Sequence, residues 1–243
     1  WARTVEGLYE FWDALLERFP DLLIDCCGGG AVTLDLETMK RSVVMWRCDF
    51  QCADPRYDPA FVRLPTGTQA HTYGISFWSP LTSGPVRALS SYAYRSGYTT
   101  GLRATFEGGV DRAEAPEHLS DEEAVVWLAR RFSEEYLSVR HFFYGDYYPL
   151  TGYSLEEDTW MAWQFDRPDL GEGIVQAFRR SESTIVACQY PLHGLRRQAT
   201  YELSSLDLPE ATHVAGADLI DNGIVVTIRN RPGAIVVRYR KVQ

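Results

Sequence analysis

The apolar positions of residues 1–145 follow the period of a helix and that of a strand in turn. One helical run, with side chains three and four residues apart, comprises Val5, Leu8, Trp12, Leu15, Leu16 and Phe19. Pro20 ends this helix, and the apolar run 22–24 after it predicts a strand. Further helices are predicted at 34–41, 59–63 and 121–142, the last capped by Ser120, and further strands at 43–46, 72–78 and 92–95. About four such units predict half of an eight-fold barrel.

After Tyr144 the pattern changes to short apolar runs that Gly, Pro and Asp interrupt. Antiparallel strands are predicted at 160–165, 174–180, 184–190, 200–203, 224–228 and 234–239. In the last of them, alternation places Ile235, Val237 and Tyr239 on one face and Val236, Arg238 and Arg240 on the other. We therefore predict an α/β domain at 1–145 and an all-β domain, an antiparallel β-sandwich, at 146–243.

The composition limits the classes of partner. The chain has 243 residues, of which 45% are hydrophobic, so it can bury a sizeable core. Its net charge of −9 argues against nucleic acid and anionic membranes, because both are bound by clusters of Lys and Arg. No apolar run reaches the roughly 18 to 20 residues that span a bilayer. Neutral partners such as sugars remain open, and so does an oligomeric state.

The cysteines bear on compartment and metal binding. Five of them, an odd number without a repeating spacing, predict free thiols, which favour the cytoplasm without fixing the compartment. Cys48 and Cys52 lie four residues apart, but no His-rich segment or second Cys pair completes a tetrahedral set, so neither a metal nor a cofactor is predicted. Trp1 opens a helical pattern without a Met, and we expect the chain to be a fragment that lacks its N-terminal part.

Two strand ends carry candidate chemistry. Asp25-Cys26-Cys27 leads into the glycines 28–30, and Trp46-Arg47-Cys48-Asp49 follows the strand at 43–46. By itself a glycine triplet is typical of a plain turn, and no Gly-Lys-Ser/Thr follows that would indicate a phosphate loop. An Asp after a strand is, by itself, typical of a cap or turn. Residue types alone therefore leave both segments open.

Motifs spread over nearly the whole chain carry a more specific resemblance. They include Glu6-Gly7-Leu8-Tyr9, Leu22-Leu23-Ile24-Asp25, Leu34-Asp35-Leu36-Glu37, Trp46-Arg47-Cys48-Asp49, Thr72-Tyr73-Gly74-Ile75-Ser76 and, later, residues 144–150, 160–165, 167–173 and 231–234. Together these segments resemble the melibiase-type α-galactosidases of glycoside hydrolase family 36. The resemblance implies the C-terminal half of a (β/α)8 TIM barrel followed by a C-terminal antiparallel β-sandwich.

The resemblance also implies an activity and roles for single residues. The family cleaves terminal α-D-galactosides with retention, using two carboxylates about 5 Å apart. Asp49 matches the acid/base, whereas the nucleophile has no match and would lie upstream of Trp1. Cys27 matches a pocket cysteine, and the backbone of Gly29 and Gly30 could approach the sugar closely. We count Trp46, in the same segment as Asp49, among the predicted substrate-binding residues. The implied partners are α-galactoside oligosaccharides or glycoconjugates, and the chain alone should be inactive.

The chain departs from the family mainly at the glycine turn. Where the family commonly has Asn-Cys-Ala-Ser-Gly-Gly-Arg-Arg, residues 26–33 read Cys-Cys-Gly-Gly-Gly-Ala-Val-Thr, and Cys48 replaces the Ser before the acid/base. The alternative function is therefore a non-catalytic carbohydrate-binding or structural remnant. Such a remnant should have a self-contained core without exposed apolar strand edges.

Two further expectations concern side chains near these strand ends. Alternation places Asp25 and Arg47 one layer below Cys27 and Asp49, which predicts an ion pair between them because an unpaired buried charge is costly. Four aromatic residues, Trp46, Tyr73, Trp78 and Tyr94, could either stack on sugar rings or belong to the core.

Overall fold

The computed structural model describes residues 2–27, 34–43, 46–49, 64–105, 109–208 and 210–242. Its helices are α1 (Ala2–Arg18), α2 (Leu36–Met39), α3 (Leu64–Ile75), α4 (Ser91–Ser96), α5 (Asp121–Val139) and α6 (Gly216–Asp221). Its strands are β1 (Ser83–Val86), β2 (Gly101–Ala104), β3 (Asp146–Pro149), β4 (Trp160–Arg167), β5 (Glu172–Arg179), β6 (Ala187–Tyr190), β7 (Thr200–Ser205), β8 (Ala211–Ala215), β9 (Ile224–Thr227) and β10 (Gly233–Lys241). Two 3-10 helices lie at Arg112–Glu114 and Arg140–Tyr144.

The strands form one large antiparallel sheet and two small sheets. The large sheet has six strands in the order β3-β4-β5-β10-β7-β8, so that β10 lies between β5 and β7. Strands β6 and β9 pair separately and antiparallel, whereas β1 and β2 pair in parallel. The mixed α/β architecture with an antiparallel sheet in its C-terminal part is as expected from the sequence.

Strands β4 and β5 of the large sheet are buried on both faces. On one face Trp163, Phe178 and Val236 belong to the same apolar cluster as Tyr94 of α4 and Phe132 of α5. The cluster on the other face contains strand residues that include Val175, Tyr190, Val226 and Tyr239, with Ile235 and Val237 packed against it. The alternation predicted for β10 is therefore confirmed, and burial on both sides explains the nearly continuous apolar sequences of β4 and β5.

The predicted helices 121–142 and 5–19 are confirmed as α5 and α1. Ser120 caps α5 in a capping box with Glu123, and α5 presents Leu128 and Phe132 to the sheet. All six predicted antiparallel strands occur, and the sequence missed β1, β2, β3 and β8. The predicted helix 34–41 is shorter, with Asp35 as the N-cap of α2.

Two predicted strands are wrong. The segment 72–78 belongs to α3 and the turn after it, and within α3 the Thr72 hydroxyl donates to the Thr68 carbonyl one turn earlier at 3.0 Å. The segment 92–95 is α4, which Ser90 begins by accepting the amide of Ala93. The predicted helix 59–63 and residues 44–45 lie outside the described residues. The half-barrel and the domain boundary at 145/146 stay predictions.

Candidate active site

The two segments that carry the candidate residues run side by side. The amide of Cys26 donates to the carbonyl of Val43 at 3.0 Å, and the amide of Val43 donates to the carbonyl of Ile24 at 2.9 Å. These bonds make a parallel bridge between Asp25 and Val43. Because the two segments run in the same direction, the residues that follow each of them leave from the same end of the bridge.

The first of these segments ends at Cys27. This residue is exposed and belongs to no disulfide, whereas Cys26 before it is buried. Gly29 and Gly30, which the sequence predicts to approach a sugar, lie outside the described residues. Their role, like that of Cys27, stays a prediction.

The second segment holds Asp49 in a defined orientation. The indole Nε1–H of Trp46 donates to Oδ1 of Asp49 at 2.6 Å. The guanidinium carbon of Arg103, on β2, lies 4.6 Å from the centroid of the Trp46 ring, within the range of a cation–π contact. Asp49 itself is exposed. The arrangement fixes one carboxylate oxygen and leaves the side chain accessible from solvent.

Arg47 lies between Trp46 and Asp49 in the sequence, but its side chain points into the protein. It is 3% exposed, and its Nη2 donates to the Thr68 carbonyl at 3.1 Å and to the Thr72 hydroxyl at 2.9 Å. The predicted ion pair with Asp25 is wrong, since Asp25 is exposed and no ion pair joins these two described residues. Arg47 instead attaches the strand end to helix α3.

This attachment leaves a desolvated charge beside α3. Burial lowers the pKa of Arg47 to about 9, and its Nε and Nη1 atoms have no hydrogen-bond partner among the described residues. Burial, followed by the positive charge of Arg47, lowers the pKa of His71 on α3 to about 4. His71 is therefore neutral at pH 7.

The four aromatic candidates have different surroundings. Tyr94 is 2% exposed and stacks on Phe132 with ring centroids 4.9 Å apart, so it belongs to the core. The Tyr73 hydroxyl donates to the carbonyl of Thr151 at 2.9 Å, which ties α3 to the later part of the chain. Trp78 is exposed. Only Trp46 contacts Asp49 among the four, as judged from the described residues.

A cavity of about 760 Å³ lies elsewhere in the molecule. It is lined by residues between α4 and the connection from β9 to β10, including Ser91, Glu114, Asp207 and Arg231. Of the predicted site residues that the structure describes, Cys27, Trp46 and Asp49, none lines it. In the described part of the chain, no group of three His, Cys, Asp or Glu side chains is placed to hold a metal ion. No helix there is long and apolar enough to cross a bilayer.

No pattern in the sequence points to Arg103. Strand β2, which carries this residue, is only four residues long and was not predicted. Its contact partner Trp46 is 57 positions earlier in the sequence, so only the folded chain brings the two side chains together.

The fold is similar to that of the α-galactosidases of glycoside hydrolase family 36, as the sequence motifs led us to expect. The galactosidase domain of the α-galactosidase–sucrose kinase AgaSK superposes with a TM-score of 0.71 and 21% identity, over 97% of this chain and 31% of that one. The α-galactosidase AgaB of Geobacillus stearothermophilus superposes with a TM-score of 0.68 and 22% identity, with the same coverage.

A variant of AgaA from the same organism, in complex with stachyose, gives a TM-score of 0.71 at 21% identity over 97% of this chain. This chain spans 31% of the length of these solved structures, which is about a third. At such identities the likeness concerns the fold alone. No protein-family profile and no curated protein matches the sequence.

Proposed function

We propose that this chain is part of a retaining glycoside hydrolase that cleaves terminal α-D-galactosides. The observation that carries the proposal is the fold likeness to family 36 α-galactosidases over 97% of the chain, together with the motif that ends in Asp49. Residues 1–145 would form the C-terminal half of a (β/α)8 barrel, and residues 146–243 would form the C-terminal β-sandwich. The parallel pair β1–β2 and the parallel bridges at Asp25–Val43 and Leu89–Val110 support the barrel half.

In this proposal Asp49 is the general acid and then the general base. Its carboxyl proton passes to the glycosidic oxygen while the bond between that oxygen and the galactosyl carbon breaks. A second carboxylate, from a segment upstream of this chain, takes the galactosyl carbon, and Asp49 then removes a proton from the water that releases the sugar. Cys27, Gly29, Gly30 and Trp46 would contact the galactoside.

The exposed apolar surface of α1 is an argument for a further chain segment that completes the barrel. Helix α1 has no buried residue, and it is joined to the following segment by Tyr9 with Asp35 and by Asp13 with Arg41 at 2.6 Å. Its Trp12, Leu15 and Leu16 are half-buried, whereas its other large apolar side chains are exposed, with Phe11 at 59%. An exposed apolar helix face of this kind is typical of an interface. The carbohydrate-binding or structural remnant predicts a self-contained core, so the exposed apolar side chains of α1 favour the hydrolase.

The test measures hydrolysis of raffinose by the protein that is encoded by the complete reading frame containing this chain. Asp49→Asn should lower kcat for raffinose by about 10²- to 10⁴-fold, because a poor leaving group needs general acid catalysis. The exposed Asp158, remote in sequence from these segments, provides the matched control Asp158→Asn, which should keep full activity.

A second measurement separates the acid/base from the nucleophile. In Asp49→Ala, azide should restore turnover of an activated aryl galactoside and give α-galactosyl azide, because azide attacks the covalent galactosyl intermediate in place of water. Absence of α-galactoside hydrolysis by the intact protein would contradict the proposed function. Full raffinose turnover by Asp49→Asn would remove Asp49 from the role.

A further inference from the structure

The surroundings of Asp49 contain a residue that no sequence motif indicates. Arg103 of β2 lies over the indole ring of Trp46, and the N–H of that indole donates to Oδ1 of Asp49. We propose that Arg103 is a positioning residue for Asp49 and acts through Trp46. The inference rests on the proposed function only for the role of Asp49 in catalysis; the three-residue contact itself is independent of it.

Among the described residues, the contact that the Arg103 guanidinium makes is with the ring of Trp46. Arg103 is exposed, and it forms no ion pair with any described residue. Its guanidinium carbon lies 4.6 Å from the ring centroid of Trp46, where the negative face of the ring attracts a cation. Strand β2 is held in place by its pairing with β1, in which Arg103 lies opposite Pro85. The guanidinium thus limits the positions that the Trp46 ring can take.

The orientation of the ring decides which oxygen of Asp49 is available. The 2.6 Å bond from Nε1 engages Oδ1, and no described residue donates to Oδ2. A cation over the ring also polarises the indole, which strengthens its N–H as a donor in the same way that linked hydrogen bonds strengthen one another. Arg103 therefore keeps Oδ1 engaged and leaves Oδ2 as the oxygen that carries the transferable proton.

The contact can be tested in this chain without any activity. The readout is the ¹H–¹⁵N resonance of the Trp46 indole, assigned with Trp46→Phe among the seven tryptophans. In the unmodified chain the indole N–H donates to Asp49, so Asp49→Ala should shift this resonance. Arg103→Met should lower the protection of the indole proton from exchange by about two- to five-fold, which corresponds to an exposed cation–π contact.

Two control variants make the result specific. Arg103→Lys keeps the cation and should retain most of the protection, whereas Arg130→Met, which removes an exposed arginine of α5, should change nothing. The proposal is overturned if Arg103→Met behaves like Arg130→Met, or if the indole resonance ignores Asp49→Ala.

The complete enzyme gives a separate readout of the functional consequence. Arg103→Met should lower kcat for raffinose and leave KM unchanged, because the substrate still binds while the acid is misaligned. If the complete protein hydrolyses no α-galactoside, the proposed function fails while the resonance data still decide the contact. If the resonance responds and kcat does not, the positioning role of Arg103 in catalysis is overturned and only its contact with Trp46 stands.

Discussion

Two regions of the molecule, the described residues up to Asp49 and the large antiparallel sheet, are each stabilised by a different kind of contact. Helix α1 has no buried residue, and its attachments include hydrogen bonds of Tyr9, the ion pair of Asp13 with Arg41 and half-buried apolar side chains such as Leu15. In β4 and β5, by contrast, nearly every side chain is buried between two apolar clusters. All the predicted sugar-binding and catalytic residues lie in the first region. Substitutions should therefore affect stability and function separately.

The largest expected difference is in the free energy of unfolding that is lost when either of two ion-paired arginines, Arg95 or Arg41, is replaced. Arg95 is 1% exposed, pairs with Glu135 at 2.8 Å and with Asp207 at 2.6 Å, and joins α4 to α5 and to the segment after β7. Arg95→Met should lower the free energy of unfolding by about 3 to 5 kcal/mol, because it leaves the buried Glu135 carboxylate without its cation. Urea denaturation measures this loss.

The matched variant is Arg41→Met in the first region. Arg41 pairs with Asp13, whose side chain is 53% exposed, so water replaces the lost partner. Its urea midpoint should equal that of the unmodified chain. Equal losses for the two variants would contradict the division of the molecule into two differently stabilised regions.

The next prediction concerns how the free energy of unfolding depends on pH. The pKa of His71 is lowered to about 4, so between pH 6.5 and 4 the unfolded chain binds a proton that the folded chain does not. Stability that is fully present above pH 6.5 should therefore fall by about 2 to 3 kcal/mol as the pH approaches 4. His71→Gln should remove this component of the pH dependence, as measured by urea unfolding at each pH.

The control for the pH measurement is His118→Gln, which replaces an exposed histidine between the 3-10 helix at Arg112–Glu114 and α5. This variant should keep the pH dependence of the unmodified chain. A titration of His71 near its ordinary pKa, followed by NMR, would show instead that the Arg47 side of α3 is open to water.

The sequence predicts best the elements whose apolar positions follow a clear pattern. Helices α1 and α5 and the four inner strands of the large sheet were predictable on this ground, as in the alternation of Val236 and Tyr239, whereas the edge strands β3 and β8 were missed. Segments 72–78 and 92–95 were predicted wrongly because their Thr, Tyr and Ile residues favour strands locally, whereas capping by Ser90 and packing against the sheet make them helical. The contact of Arg103 with Trp46 depends on the fold alone.

A smaller effect is expected at the N-terminus of α5. The Ser120 hydroxyl accepts the amide of Glu123, so Ser120→Ala should lower the free energy of unfolding by about 1 kcal/mol. Because α5 packs on the sheet through Phe132, the loss should appear in global unfolding. Ser138→Ala, near the other end of α5, should cause no loss because Ala is the better helix former. Equal losses would show that the cap contributes nothing specific.

The smallest effect on this chain should come from the apolar side chains of α1. Phe11 is 59% exposed, so Phe11→Ser should change the free energy of unfolding by less than about 0.5 kcal/mol, whereas Phe132→Ala in the core should cost about 3 to 5 kcal/mol. In the complete reading frame, however, Phe11→Ser should lower the thermal stability of the protein, because there the proposed upstream segment covers α1. A large loss already in this chain would mean that α1 is packed within it, and an unchanged complete protein would mean that nothing covers this face. Only a loss confined to the complete protein supports an interface at α1 that brings the missing carboxylate to Asp49.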